Sequence, residues 1–210
     1  MRMNLPESEQ VNIAFIENGD DSFGLAKIMT AMSNSGGGLL YIGVKSNGKV
    51  KGIYPEHIIN QLEEVCSSYC KPSLPYKLET IEQDFKLILC VTIFEIAGQK
   101  YQARVNEKEW ESFVRINRFT LLANKIIKRS WSEEKKTTPK SEEMNLELTF
   151  LLKIIQSYGP LTLSKLYKVA ELPLDKVDKN LSCLVYLKEV AVDFDGNSVV
   201  FSLKNSAYFS

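Results

Sequence analysis

Residues 23–35, FGLAKIMTAMSNS, carry apolar side chains at Phe23, Ile28, Met29 and Met32, a helical spacing, and the run stops at Asn34 and three glycines. LLYIGV then predicts a short strand, Ser46-Asn47-Gly48 a turn, and KVKGI a return strand. Pro55 and the periodic apolar residues of EHIINQLEEVCSSYC predict a second helix, ended by Lys71-Pro72. KLETIEQ and FKLILCVTIFEI predict two strands around a turn at Asp84. The second is apolar throughout its middle and is therefore expected at the centre of its sheet. After a polar stretch of no fixed type, SFVRI predicts a further strand and TLLANKIIKRSW a closing helix.

The segment 132–144, SEEKKTTPKSEEM, is charged, contains a proline and has Met144 as its single apolar residue, the composition of a linker. Beyond it NLELTFLLKIIQSYG predicts an amphipathic helix through Leu148, Leu151, Leu152 and Ile155, closed by Gly159-Pro160. Leu161-Thr162 opens a short helix, LSKLYKVAE, and after Leu172-Pro173 comes a third, LDKVDKNLSCLVYL. EVAVDFDGNSVVFSL predicts a hairpin around Asp195-Gly196-Asn197. Three helices followed by a hairpin is the order of a winged helix. The expected domains are therefore 1–131 and 145–210, joined by 132–144.

Basic and acidic residues both total 26 in a chain of 210, so no global positive field draws the protein to nucleic acid. Any such binding must rest on local patches. The N-terminal residues MRMNLPESEQ lack the apolar stretch of a signal peptide, and no run is long enough to span a bilayer, which predicts a cytoplasmic protein. Of four cysteines only Cys66 and Cys70 are close. With His57 the single histidine, buried free thiols are expected rather than a metal site.

The segment AMSNSGGGLLYIGVKSNGKVKGI closely resembles the signature of the Schlafen/AlbA-like domain family. In that signature a helix ends in Ala-x-x-Asn-(Ser/Thr)-x-Gly-Gly, a strand ends in Ile-Gly-Val, and a second segment ends in Gly-Ile. Ala31, Asn34, Ser35, Gly37, Gly38, Ile42, Gly43, Val44, Gly52 and Ile53 all stand in place. Phe113-Val114-Arg115 fits the strand with which the family closes its domain. The resemblance covers about residues 5–125. It implies an α+β protein, a Schlafen/AlbA-like mixed sheet with flanking helices followed here by a small winged-helix domain. Asn34, Gly37, Gly38 and Gly43 are then structural motif residues.

Family members have also been called ATP-binding. Phosphate cradling requires G-x-x-x-x-G-K followed by Ser or Thr, whereas this chain has Gly38-Leu39-Leu40-Tyr41-Ile42-Gly43-Val44-Lys45-Ser46, one residue too long. The residues between the glycines are strand formers, so no ATP or other cofactor is expected. For active Schlafen-type nucleases the resemblance implies three carboxylates holding a divalent ion. Their positions fall on Glu7, Asn12 and Ser46, one carboxylate of three, which predicts no catalytic residues and no bound metal. A rival endoribonuclease would keep Glu7 in a remodelled site, with Glu9 or Glu17 as the nearby carboxylate able to substitute.

Arg115, Arg118, Lys125, Lys128 and Arg129 cluster with Phe119 and Trp131, and basic side chains among aromatics suit a nucleic-acid backbone and its bases. Equally, they suit a solvated face whose lysine stems cover the sheet. The third helix of the C-terminal domain offers Lys176, Lys179 and Asn180 for reading DNA, beside Asp175 and Asp178. Asp193 and Asp195 in the hairpin weigh against DNA and toward protein contact. The function expected is a noncatalytic nucleic-acid-binding protein and transcriptional regulator, with DNA ahead of RNA, no membrane and a possible homo-oligomer. Its rivals are an endoribonuclease with a degenerate site and an interaction or dimerisation module.

Overall fold

Asp21 begins the first helix by accepting the Gly24 N–H on its side chain at 2.9 Å, which satisfies one of the amide donors that every helix start leaves open. The computed structural model describes residues 5–133 and 142–204. Strand β1 (Ile13–Ile16), which has no counterpart in the sequence reading, leads into that helix, α1 (Ser22–Asn34). β2 (Gly38–Ile42) follows, then α2 (Pro55–Glu64) with its proline at the start, and a π-helical turn at Val65–Tyr69. β3 (Cys70–Lys71), β4 (Tyr76–Gln83), β5 (Lys86–Ile93), β6 (Gln102–Arg104), β7 (Trp110–Glu111), β8 (Phe113–Ile116) and β9 (Phe119–Leu122) complete the first part. The second comprises α3 (Lys125–Glu133), α4 (Glu142–Tyr158), β10 (Leu161–Thr162), α5 (Leu163–Ala170), α6 (Leu174–Tyr186), β11 (Val190–Phe194) and β12 (Val199–Leu203).

The main sheet runs β1-β2-β5-β4, with β1 and β2 parallel and the other pairs antiparallel. β5 is internal, as its apolar run predicts. The period-two alternation along these strands divides their side chains between two clusters. Leu40, Ile42, Leu89, Val91 and Ile93 join the large core with Leu25, Met29 and Met32 of α1 and Ile58 and Leu62 of α2. Tyr41, Ile88 and Cys90 belong to a smaller cluster with Phe15 and Val44. Smaller sheets β3-β6-β7 and β8-β9 complete this α+β arrangement.

Two expected elements differ. KVKGI is not a ladder strand: Lys51 N–H and Gly52 N–H converge on the one carbonyl of Gly43, at 2.8 and 3.0 Å, leaving a lone bridge between Val44 and Val50. Gly43 and Gly52 both hold the left-handed backbone this requires, at φ +97° and +84°. TLLANKIIKRSW is likewise not one helix. Thr120–Leu122 pair with β8, and Asn124 then caps α3 by accepting the N–H groups of Ile126 and Ile127, each at 3.0 Å.

The chain divides into two compact units, 1–122 and 123–210. Helix α3, read from the sequence as the close of the first domain, belongs to the second. Its Ile126 is fully buried among Leu151, Ile155, Leu166, Val177, Leu181 and Phe201. Leu161-Thr162, read as the opening of a helix, pairs with Phe201 and Val200, while Thr162 also caps α5 by accepting Lys165 N–H. The resulting order is two helices, a short strand, two more helices and a hairpin, with a three-stranded sheet β10-β12-β11. The expected linker 132–144 falls mostly on residues 134–141, outside the described residues, with its ends inside α3 and α4.

Candidate functional site

The Asn-Ser-x-Gly-Gly stretch at the end of α1 ties that helix to three other segments. Asn34, buried, donates through Nδ2 to the carbonyls of Tyr101 and Phe113, both at 2.9 Å, and accepts Tyr101 N–H on Oδ1 at 2.8 Å. Ser33 donates to the Phe94 carbonyl and Ser35 accepts Arg115 N–H. A Cβ on Gly37 would lie 2.6 Å from the Ile93 carbonyl oxygen, and one on Gly38 would lie 2.2 Å from that of Asn12. These motif residues therefore form a structural clasp. Gly38–Ile42 is a strand laddered on both edges, to β1 and to β5, so this stretch does not form a phosphate-cradling loop.

The family's three carboxylate positions do not all fall at one place: Asn12 is at the start of the β1–β2 pair, while Glu7 and Ser46 lie by the turn beyond its far end. Asn12 sits level with Gly38 at the start of the β1–β2 pair, its carbonyl accepting Leu39 N–H. Ser46 lies in the turn beyond the far end of β2, where Lys45 N–H reaches the Lys49 carbonyl. Glu7 is exposed, with its backbone close to Gly48. The two nearby carboxylates are committed: Glu9 accepts Phe15 N–H at 3.0 Å, and Glu17 accepts Lys51 Nζ at 3.1 Å, which holds its carboxyl below the usual range. Among the described residues no group of three or more His, Cys, Asp or Glu side chains could hold a metal ion.

The expected basic cluster is divided. Arg115, read as a phosphate contact, is only 5% exposed. Its Nη2 donates to the carbonyls of Gln10 and Ile13 at 2.9 and 3.2 Å, and its Nη1 donates to Thr120 Oγ1 at 3.2 Å. Burial lowers its pKa, partly opposed by Glu9. It anchors the N-terminal segment to β8 and β9 and presents no charge to a ligand. Arg118 is exposed beside the β8–β9 turn, its guanidinium 5.3 Å from the centre of the Phe119 ring. Lys125, Lys128 and Arg129 lie on α3, in the other unit. Lys125 bonds Asp178 at 2.7 Å and sits over the Tyr167 ring, Lys128 is exposed and Arg129 half-buried.

On α6, Asn180 is 1% exposed and donates to Glu147 of α4 at 2.8 Å, so it is unable to read a base edge. Lys176 donates to the same carboxylate at 2.7 Å and Lys179 is exposed. Asp178, beside them, accepts from Tyr167 as well as from Lys125. Much of the helix's polar side is thus taken up within its own unit.

The sequence reading missed a cleft of about 730 Å³ in the first unit, walled by residues 18–20, 51–58 and 85–87. Two aromatic side chains stand in water at its walls, Tyr54 at 92% and Phe85 at 99% exposure. Lys51, bonded to Asn18 Oδ1 at 2.6 Å as well as to Glu17, and Lys86, bonded to the Val50 carbonyl at 3.2 Å, also line it. Tyr54 and Phe85 lie in segments of different predicted type and carry no motif, which is why neither drew notice.

The DIP2311 protein from Corynebacterium diphtheriae is similar to 92% of this chain at 13% identity and a TM-score of 0.48, with 34% of its own length covered. The chain thus spans about a third of that protein. The N-terminal domain of a RecG-related protein from Nitrosomonas europaea is similar over 41% of this chain and 65% of its own, at 20% identity and a TM-score of 0.35. No curated protein matches. Residues 7–124, more than half of the sequence, match the family model described as Schlafen, AlbA_2, and the chain belongs to that family.

Proposed function

We propose that the chain is a noncatalytic nucleic-acid-binding protein acting in transcriptional regulation, with DNA ahead of RNA as its ligand. The observation that carries this reading is the Schlafen, AlbA_2 family of residues 7–124. The second unit is read as a winged helix, supported by the order of helix, strand, two helices and hairpin from α4 onward, with α3 as an additional helix before it. Phosphate contacts are assigned to Arg118, Lys128 and Arg129, and α6 contributes Lys176 and Lys179. Absence of hydrolysis follows from neutral Asn12 and Ser46 at opposite ends of the β1–β2 pair, so tRNA incubated with Mg²⁺ or Mn²⁺ should remain uncut.

An interaction module is the second reading, favoured by exposed Leu174, Tyr186 and Leu187 on and beside α6. Fluorescence anisotropy with duplex DNA, single strands and an RNA hairpin at two salt concentrations separates the two. Replacing Arg118, Lys128 and Arg129 together by Ala should remove most binding and flatten the slope of log affinity against log salt by about two to three units. Replacing Lys176 and Lys179 should affect sequence preference more than affinity. Absence of binding to every nucleic acid, with concentration-dependent self-association, would favour the second reading.

A further inference from the structure

The cleft walled by residues 18–20, 51–58 and 85–87 brings two exposed aromatic side chains, Tyr54 and Phe85, to one concave surface. Phe85 occupies the second position of a two-residue hairpin turn, between the paired residues Gln83 and Lys86, with Asp84 and Phe85 at φ 51° and 60°. Such turns favour Asn-Gly or Asp-Gly, because a side chain crowds the backbone at positive φ. Here the position holds a large aromatic ring that contributes nothing to a core and lies wholly in solvent. Tyr54, which precedes α2 and makes no side-chain capping bond, is nearly as exposed. The volume is that of a pocket for one small molecule or one unit of a polymer.

Charge narrows the occupant. Lys51 is committed to Glu17 and Asn18, whereas among the described residues Lys86 bonds the neutral Val50 carbonyl rather than a carboxylate. Gly52 lets the Lys86 stem pass close: a Cβ there would meet the lysine's own Cβ at 3.0 Å. Asp20, on the cleft wall, is an acceptor able to take an exocyclic amine. Aromatic faces, an ammonium whose charge is not answered by a carboxylate among the described residues, and a separate carboxylate together match a nucleotide: base on the rings, phosphate at the lysine. An apolar peptide would leave the lysine unanswered.

We infer that this cleft takes an unpaired base of a single-stranded nucleic acid, stacked on Phe85 and Tyr54 with its phosphate at Lys86. The inference rests on the nucleic-acid reading above and adds a preference for single strands carried by residues other than Arg118, Lys128 and Arg129. The test is anisotropy of the full chain with a labelled single-stranded oligonucleotide, its abasic analogue and a duplex. The variant is Tyr54→Ser with Phe85→Asn, chosen because Ser suits a helix start and Asn tolerates positive φ.

The double variant is expected to lose single-strand affinity by about tenfold or more, while its duplex affinity and melting temperature stay unchanged. The parent should bind the abasic strand as weakly as the variant binds the intact one, and Phe85→Trp should retain binding. Lys86→Gln should lower the salt slope for single strands by about 0.7. Equal single-strand affinity in parent and double variant would overturn the cleft assignment and leave the proposed function standing. So would a loss shared equally by duplex, or loss of self-association with oligonucleotide affinity intact. A parent that binds no nucleic acid of any kind would overturn both.

Discussion

The side-chain amide of Asn34 pairs with the backbone of Tyr101 as one strand pairs with another: Nδ2 donates to its carbonyl at 2.9 Å and Oδ1 accepts its N–H at 2.8 Å. A second bond from Nδ2 reaches the Phe113 carbonyl. The last residue of α1 thereby links Tyr101, just before β6, to Phe113, the first residue of β8. This accounts for an asparagine at this point of the motif, since no other side chain of that size offers both donors and an acceptor.

Asn34→Ala should therefore destabilise the first unit by about 3 kcal/mol or more, because it orphans one buried N–H and leaves two carbonyls short of a donor. Asn34→Asp, nearly isosteric, should be almost as damaging, since it replaces the donor with a charge facing two carbonyls. Urea denaturation of parent and variants checks this. A change below about 1 kcal/mol in both would show that the clasp is dispensable.

Arg115 is expected to behave as a structural residue. Arg115→Ala should cost about 3 kcal/mol of stability by releasing the Gln10 and Ile13 carbonyls and Thr120, and Arg115→Lys should not restore it, because one ammonium lacks the planar fork that reaches all three. Nucleic-acid affinity, measured below the melting temperature, should be unaltered. An Arg115→Ala protein as stable as the parent but weakened in binding would return this residue to the interface.

Much of the first unit was legible because helix and strand periods are strong where one face is buried: Met29 and Met32, two of the four residues whose spacing predicts α1, are in the core, and the apolar run of β5 marks its internal place. β1 was not legible. Only four residues long, its burial is set by pairing with Leu39–Ile42 rather than by a pattern of its own. β9 was read as helix because TLLANKII keeps apolar residues at either spacing, and only the Asn124 cap separates the strand from α3. The candidate site was less legible still. A basic sequence cluster says nothing of burial, and Arg115 is drawn inward by carbonyls of residues 10 and 13, about a hundred positions away. Asn180 is likewise turned inward by Glu147.

The four cysteines are free and buried. Burial pushes the Cys66 thiol up to about 12 and the Cys70 thiol higher still. Neither then forms a reactive thiolate near neutral pH. Native protein should react slowly with a chromogenic disulfide reagent, and rapidly at all four sites in denaturant. Added Zn²⁺ should leave the melting temperature unchanged. Rapid native labelling of the Cys66–Cys70 pair would contradict the burial on which this rests.

Acid should weaken the second unit through Glu147. Its carboxylate accepts Lys176 Nζ on one oxygen and Asn180 Nδ2 on the other, and these bonds, the lysine's first, hold its pKa below the ordinary carboxylate value against the opposing effect of burial. A carboxyl whose folded pKa lies below its unfolded one stabilises the fold fully above the unfolded value. That contribution fades as pH falls through the folded one. Asp195, lowered by the backbone N–H groups of Ser198 and Asn197, acts in the same sense in the hairpin, so a fall in stability with acid does not by itself identify Glu147. Glu147→Gln isolates it, since the amide oxygen still accepts one bond but no longer titrates. Urea midpoints of the second unit should fall between neutral pH and about pH 3.5 less steeply in Glu147→Gln than in the parent, and the two proteins should approach one another at the acid end. Parallel pH profiles for parent and variant would mean that the link between α4 and α6 contributes nothing through its charge.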